Sequence, residues 1–246
     1  MENFLLSTST APFATGSGGQ SAGKSIFYKN GLIYLGLQKT GNAQGDEFNI
    51  IDVRDPKNPV WLGGYSVGRI VNQIAVLNNY AYLATDDPNR ELLILNVQDP
   101  GNIAMTGSYD APGNTASGFG EAVFVASSTA ALGRSYIYNQ PEFMLLDLSS
   151  TSPSVLGSAL INKLSETASV ETVIIRDFIG FVLTNSELQL WDISNPQHMN
   201  SYTSSIPLPE NSKSTSSSVL TCGNNTLYIA SSDSVHTGYL TVVTGS

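Results

Sequence analysis

A chain of 246 residues can bury one sizeable core without metals or disulfides, and its single cysteine, Cys222, rules out an intrachain disulfide. Only 13% of residues are charged, against about 25% in an average soluble domain. Ser, Thr, Asn and Gly fill the difference, which suits a rigid β scaffold with polar loops and argues against helix bundles. The net charge of −9 and pI near 4.5 repel phosphate backbones and anionic lipid surfaces, so nucleic acid and membranes are set aside as partners.

In chain order, Phe4-Leu5-Leu6-Ser7-Thr8-Ser9 reads as an isolated strand. No basic stretch followed by a long apolar one precedes it, so no export signal is read. No run of about 18 apolar residues exists, so direct membrane insertion is not expected. Residues 11–24 read as a Gly-rich loop. Within it, Gly18-x4-Gly23-Lys24-Ser25 matches the phosphate-binding P-loop expression. A working P-loop leads into a helix, whereas Ile26-Phe27-Tyr28 reads as a strand, so the match is taken as accidental.

A hairpin pattern begins at Ile26 and recurs. Residues 26–36, 74–84, 173–183 and 220–230 align without gaps, each a strand, a turn of Asn, Gly or Asp, and a second strand bearing an aromatic. A looser copy is expected at 122–138, with strand 122–126, a long turn containing Gly133, and a second strand 136–138. A ribbon follows each hairpin. Asp52, Asn96, Asp147 and Asp192 mark its first four copies at spacings of 44, 51 and 45 residues, and residues 240–244 supply a shortened fifth. That period suits four short strands per unit. The side chains of these Asx residues are expected to accept turn N–H groups beside the Asx-Pro step. Fourth strands are expected at 60–66, 104–109, 155–159 and 199–205.

The fold expected is therefore all-β, a five-bladed β-propeller of four-stranded antiparallel blades. Blades fall at about 21–67, 68–110, 115–160, 168–206 and 214–246, and the strand near 3–10 completes the last and closes the ring. Closure removes the exposed edge that a linear array would leave.

The run Ile50-Ile51-Asp52-Val53-Arg54-Asp55-Pro56-Lys57-Asn58-Pro59-Val60-Trp61-Leu62-Gly63-Gly64-Tyr65, with Asn78-Asn79-Tyr80-Ala81-Tyr82-Leu83-Ala84, resembles the LVIVD repeat family. The resemblance is strongest in the first two units. It implies a bacterial or archaeal propeller that is exported or displayed on the cell surface, and it carries no catalytic residues. A signal or anchor segment is expected to lie outside these residues, because the chain stops directly after the strand-like run 240–246.

His198 in a turn after a third strand, His236 in a loop after a second strand, and Cys222 at a core position do not make a zinc set, and no metal or cofactor is expected. Asp86-Asp87-Pro88-Asn89 gathers oxygen atoms but lacks the calcium-loop spacing. No Gly-x-Ser-x-Gly elbow occurs. Glu121 and Glu171 begin innermost strands and form the one acid pair placed near a central opening, either as channel lining or as a glycosidase pair. Tyr34, Tyr82, Tyr136, Phe181 and Tyr228 are expected to pack between blades. Trp191 is expected in the core and Trp61 partly exposed on an outer strand.

Long polar loops at 11–24, 38–47, 111–120 and 206–217 gather at one face. The expected function is a non-catalytic interaction module that binds protein or glycan through Arg69, Asn72, Asp86, Asp87, Asn114, Glu121 and Glu171. It would act as a monomer or as part of a larger multidomain chain. A hydrolase using Glu121 and Glu171, and a purely structural propeller within a surface or pilus assembly, are the alternatives.

Overall fold

The computed structural model describes residues 19–41, 45–112, 118–161, 168–202, 205–208, 212–213, 220–223, 226–233 and 238–244. They form five antiparallel sheets in chain order. The first holds β1 (Gly19–Lys29), β2 (Leu32–Gly41), β3 (Phe48–Asp52) and β4 (Val60–Tyr65). The second holds β5 (Val71–Leu77), β6 (Tyr80–Thr85), β7 (Leu92–Asn96) and β8 (Ala104–Tyr109). The third holds β9 (Gly120–Ala126), β10 (Thr129–Arg134), β11 (Phe143–Asp147) and β12 (Ser154–Ala159). In the fourth, β13 (Val170–Arg176), β14 (Ile179–Thr184) and β15 (Glu187–Asp192) are followed by a broken edge, β16 (Asn200–Ser201) and β17 (Ile206–Pro207), both paired to β15. In the fifth, β18 (Ser212–Lys213) and β19 (Leu220–Gly223) pair with β20 (Thr226–Asp233), which pairs with β21 (Gly238–Thr244). Among the described residues no helix is long and apolar enough to cross a membrane.

The hairpins follow from their turn residues. Asn30 (φ 53°) and Gly31 (φ 79°) both adopt positive φ, as do Asp177 (49°) and Phe178 (63°). This arrangement matches the twist of the flanking strands. The third hairpin differs from the sequence expectation. Its turn is Ser127-Ser128, and Ala126 pairs with Thr129, so it is as tight as the others. Tyr136–Tyr138 is not its second strand but lies in the link between β10 and β11. Ala131 stands where Tyr34 and Tyr82 stand in the first two sheets, and a search for a recurring aromatic passes over it. Loop lengths change too. The 11–24 segment is already strand from Gly19, β2 runs on to Gly41, and 206–217 contains β17 and β18.

The recurring Asx residues act as turn acceptors. Asp52, Asn96, Asp147 and Asp192 each accept the backbone N–H two residues on, from Arg54, Gln98, Ser149 and Ser194, at 2.9–3.0 Å. In the next step Asp55, Asp99 and Asn195 do the same for Lys57, Gly101 and Gln197. These local bonds compete with the ladder and end the strand.

Successive sheets pack face to face. The forward face of the first, with Tyr34, Phe48 and Ile50, meets Ile74, Val76, Leu83 and Leu95 of the second. The forward face of the second, with Tyr82, Leu92 and Ile94, meets Val123, Leu132 and Leu146 of the third. Phe143 and Leu145 of the third meet Val173, Val182 and Trp191 of the fourth, where Phe143 and Trp191 pack edge to face at 6.2 Å. Leu183 and Leu188 of the fourth meet Leu227 and Ile229 of the fifth. Trp191 is core and Trp61 is exposed, as read from the sequence.

Two further devices recur in every junction between the first four sheets. Fourth-strand glycines let the next sheet's turn approach: a Cβ at Gly63, Gly107 or Gly157 would lie 1.8, 2.1 or 1.7 Å from the carbonyl oxygen of Pro100, Thr151 or Pro196. No rotamer change relieves a clash with backbone. A buried glutamate also opens each ribbon. Glu47, Glu91 and Glu142 accept the N–H of Gly68, Ala111 and Ile161 at 2.9, 2.7 and 3.1 Å, which ties the incoming connection to the sheet it leaves. In the fourth sheet Glu187 instead accepts from Ser205 Oγ and Gln189 Nε2, both at 2.6 Å.

Residues 4–9, expected to close the ring, lie outside the described residues, and so do the side chain of Cys222 and all of His236. Among the described residues no strand joins the fifth sheet to the first. The outward faces of these two sheets are exposed and apolar. Leu240 is 68% exposed, although its counterparts Phe48, Leu92 and Phe143 are fully buried. Ile26 is 66% exposed, against 4% for its counterpart Ile74. Tyr228 shares the exposed face of the fifth sheet.

Candidate functional site

The first strands of successive sheets lie against one another, β1 on β5, β5 on β9, β9 on β13 and β13 on β19. Side chains stitch this inner wall together. Ser25 Oγ donates to Val71 O at 2.9 Å, Asn72 Nδ2 to Gly120 O at 2.9 Å, and Val123 N–H to Gln73 Oε1 at 2.6 Å.

Each of the first four inner strands carries one extra residue at the same place. The register skips Lys24 in β1, Asn72 in β5, Glu121 in β9 and Glu171 in β13. These are β-bulges, which re-aim a side chain and concentrate next to functional sites. The corresponding place in the fifth sheet lies outside the described residues. The bulges sit at the end from which the connections between second and third strands emerge.

Electrostatics joins these positions. Burial, and after it the charge on Glu121, raise Glu171 to about 7, against the opposing charge of Lys24. Glu121 is also raised by burial, opposed by Lys24 and assisted by Asp86. Burial raises Asp86, while the Ile70 N–H (2.6 Å to Oδ1) and the Arg69 charge oppose it. Glu171 therefore senses Glu121 and Lys24, Glu121 senses Lys24 and Asp86, and Asp86 senses Arg69.

The other expected residues have structural partners. Asn72 is buried and bonded across the second and third sheets. Asp87 accepts from Asn89 N–H at 3.0 Å and from Arg90 Nε at 2.8 Å. Burial works against its ionisation, but these bonds outweigh it and hold the group low. Asn114 lies outside the described residues. Sequence reasoning missed Lys24 as part of this set, although the signal was present. It precedes Ile26 by two residues, as Asn72 precedes Ile74 and Glu171 precedes Val173.

Glu171 has a consequence for stability. Its folded value of about 7 exceeds the ordinary carboxyl value of 4.5. Between those values the folded chain keeps a proton that the unfolded chain releases, so stability falls as pH rises from 4.5 through 7. Glu171→Gln is expected to remove this slope and to be about 1–3 kcal/mol more stable than the parent at pH 8, with little difference at pH 4. Urea titrations of both proteins across that range measure it. Parallel curves would refute the shift.

Residues 68–111, which span the second sheet and its lead-in, match the family model described as the LVIVD repeat. No curated protein matches the chain.

Proposed function

Starting from an LVIVD repeat that stands second in a run of five like sheets, we propose that the chain is a closed five-bladed propeller acting as a non-catalytic interaction module. It works outside the cell or on its surface and binds a protein or glycan at the mouth marked by Lys24, Glu121 and Glu171. The observation that carries this reading is the placement of bulge residues at one position in four successive sheets. A scaffold needs no polar, mutually perturbed groups there, whereas a binding surface does. Arg69 and Asp86 extend the same mouth. The localisation rests on the habit of LVIVD-repeat proteins described above.

The test is direct. The Arg69→Ala/Glu121→Ala/Glu171→Ala triple variant is expected to lose at least about tenfold in binding to glycan arrays or cell surfaces, with the fold retained. Undiminished binding overturns the assignment. A second reading has one observation in its favour: Glu171 is raised to about 7, so a share of it is protonated near neutrality, as a general acid must be. In that reading the mouth hydrolyses glycosides. Turnover of an aryl glycoside that disappears in Glu171→Gln would put it in first place.

A further inference from the structure

We propose that the wedge between the first and second sheets, at the end opposite the bulge residues, binds a small uncharged polyhydroxy molecule the size of a single pyranose. A cavity of about 350 Å³ opens there between the hairpin turns and the Asx turns. This is the lower end of the range for small-molecule pockets, about 300–1,000 Å³. It is separate from the mouth discussed above and does not depend on that reading.

The lining has two parts. Leu32, Tyr34, Leu62 and Val97 make an apolar floor, and Asn30, Asn78, Asn79 and Gln98 make a rim of carboxamides. Tyr34 is 6% exposed, with its ring held against Phe27 at 6.4 Å and Phe48 at 6.3 Å. Tyr34 lines the cavity, and its hydroxyl, which solvent reaches, forms no hydrogen bond among the described residues. Burial raises its pKa, which keeps it a neutral donor.

The rim selects the ligand's chemistry. A carboxamide both donates and accepts, as does each sugar hydroxyl. The one guanidinium at the edge, Arg54, is paired with Asp52 through Nε at 2.9 and 3.0 Å and through Nη2, so a carboxylate already balances its charge. Asn30 and Asn78 share a left-handed φ of 53°, so the two hairpin turns that carry them have the same backbone form. A pyranose has a C–H face for Leu62 and Val97 and hydroxyl edges for the amides.

Saturation-transfer NMR with the methyl glycosides of glucose, galactose and N-acetylglucosamine tests this. At least one is expected to bind with Kd of about 0.1–5 mM. Tyr34→Phe keeps the ring and removes the hydroxyl, and should weaken binding about fivefold. Asn79→Ala, on an exposed turn, should do the same without touching the core. The triple variant at the mouth should leave this binding unchanged. No transfer from any probe at about 10 mM overturns the proposal. So does binding that is indifferent to both substitutions, or a glucuronide that binds as well as the neutral glycoside.

Discussion

Arg134→Ala is expected to lower the stability of this protein by about 3–5 kcal/mol. Arg134 and Glu91 are both fully buried and paired at 2.6 Å across the second and third sheets. The arginine also donates to Pro141 O at 2.8 Å, and Glu91 accepts the Ala111 N–H. Burial pushes the Glu91 carboxyl up despite the facing guanidinium. Without Arg134 that carboxyl would either remain charged in an apolar core or take up a proton. The loss should therefore be smaller at pH 5 than at pH 8, because protonation costs less as pH approaches the unfolded value. Replacing both residues by apolar ones, as in Arg134→Met with Glu91→Leu, should recover most of the stability. Denaturant titration of the single and double variants forms the cycle that isolates the pair. A single-variant loss below about 1 kcal/mol would mean that water reaches the site.

Leu240→Glu is expected to cost about 2–4 kcal/mol, although the leucine is 68% exposed in the structure. The expectation comes from positional equivalence. Phe48, Leu92 and Phe143 occupy the same place and are fully buried, each by the following sheet. The forward face of the fifth sheet and the backward face of the first repeat the two surfaces that meet at every other junction. If they close a ring within one chain, a charge at Leu240 falls inside a core. Ile26→Glu should then be as damaging, and the parent protein should sediment as a monomer at all concentrations. Self-association that Leu240→Glu abolishes without loss of stability would instead place these faces between copies, in a head-to-tail array. Absence of both effects would leave the faces in solvent and sink the closed ring.

Much of this architecture was readable because its signals are local. The hairpin turns favour Asn, Gly or Asp at positive φ, and Asn30-Gly31 and Asp177 supply them in the sequence itself. The strand ends need an Asx acceptor two residues before an N–H, and Asp52, Asn96, Asp147 and Asp192 recur at a readable period. The third hairpin was misread for an equally local reason. Ala131 has no aromatic ring to announce it, and its fitness comes from the space left between the third and fourth sheets. The buried glutamates Glu47, Glu91, Glu142 and Glu187 stand in plain view ahead of each ribbon. Read singly, a glutamate suggests solvent, and only the folded chain supplies its donors: a backbone N–H of the next connection for the first three, and Ser205 and Gln189 for Glu187.

What the sequence determined on its own is the module: two tight turns, four short strands and their period, all governed by neighbours within a few residues. What only the tertiary structure decided is which side chains share a neighbourhood. Lys24, Asn72, Glu121 and Glu171 are separated by about fifty residues each, and a one-residue bulge in each inner strand brings them to one end. Tyr34 is an ordinary core aromatic until the second sheet leaves a wedge beside its hydroxyl. Burial and field depend on distance through space, and a linear pattern carries that information only after the sheets have stacked.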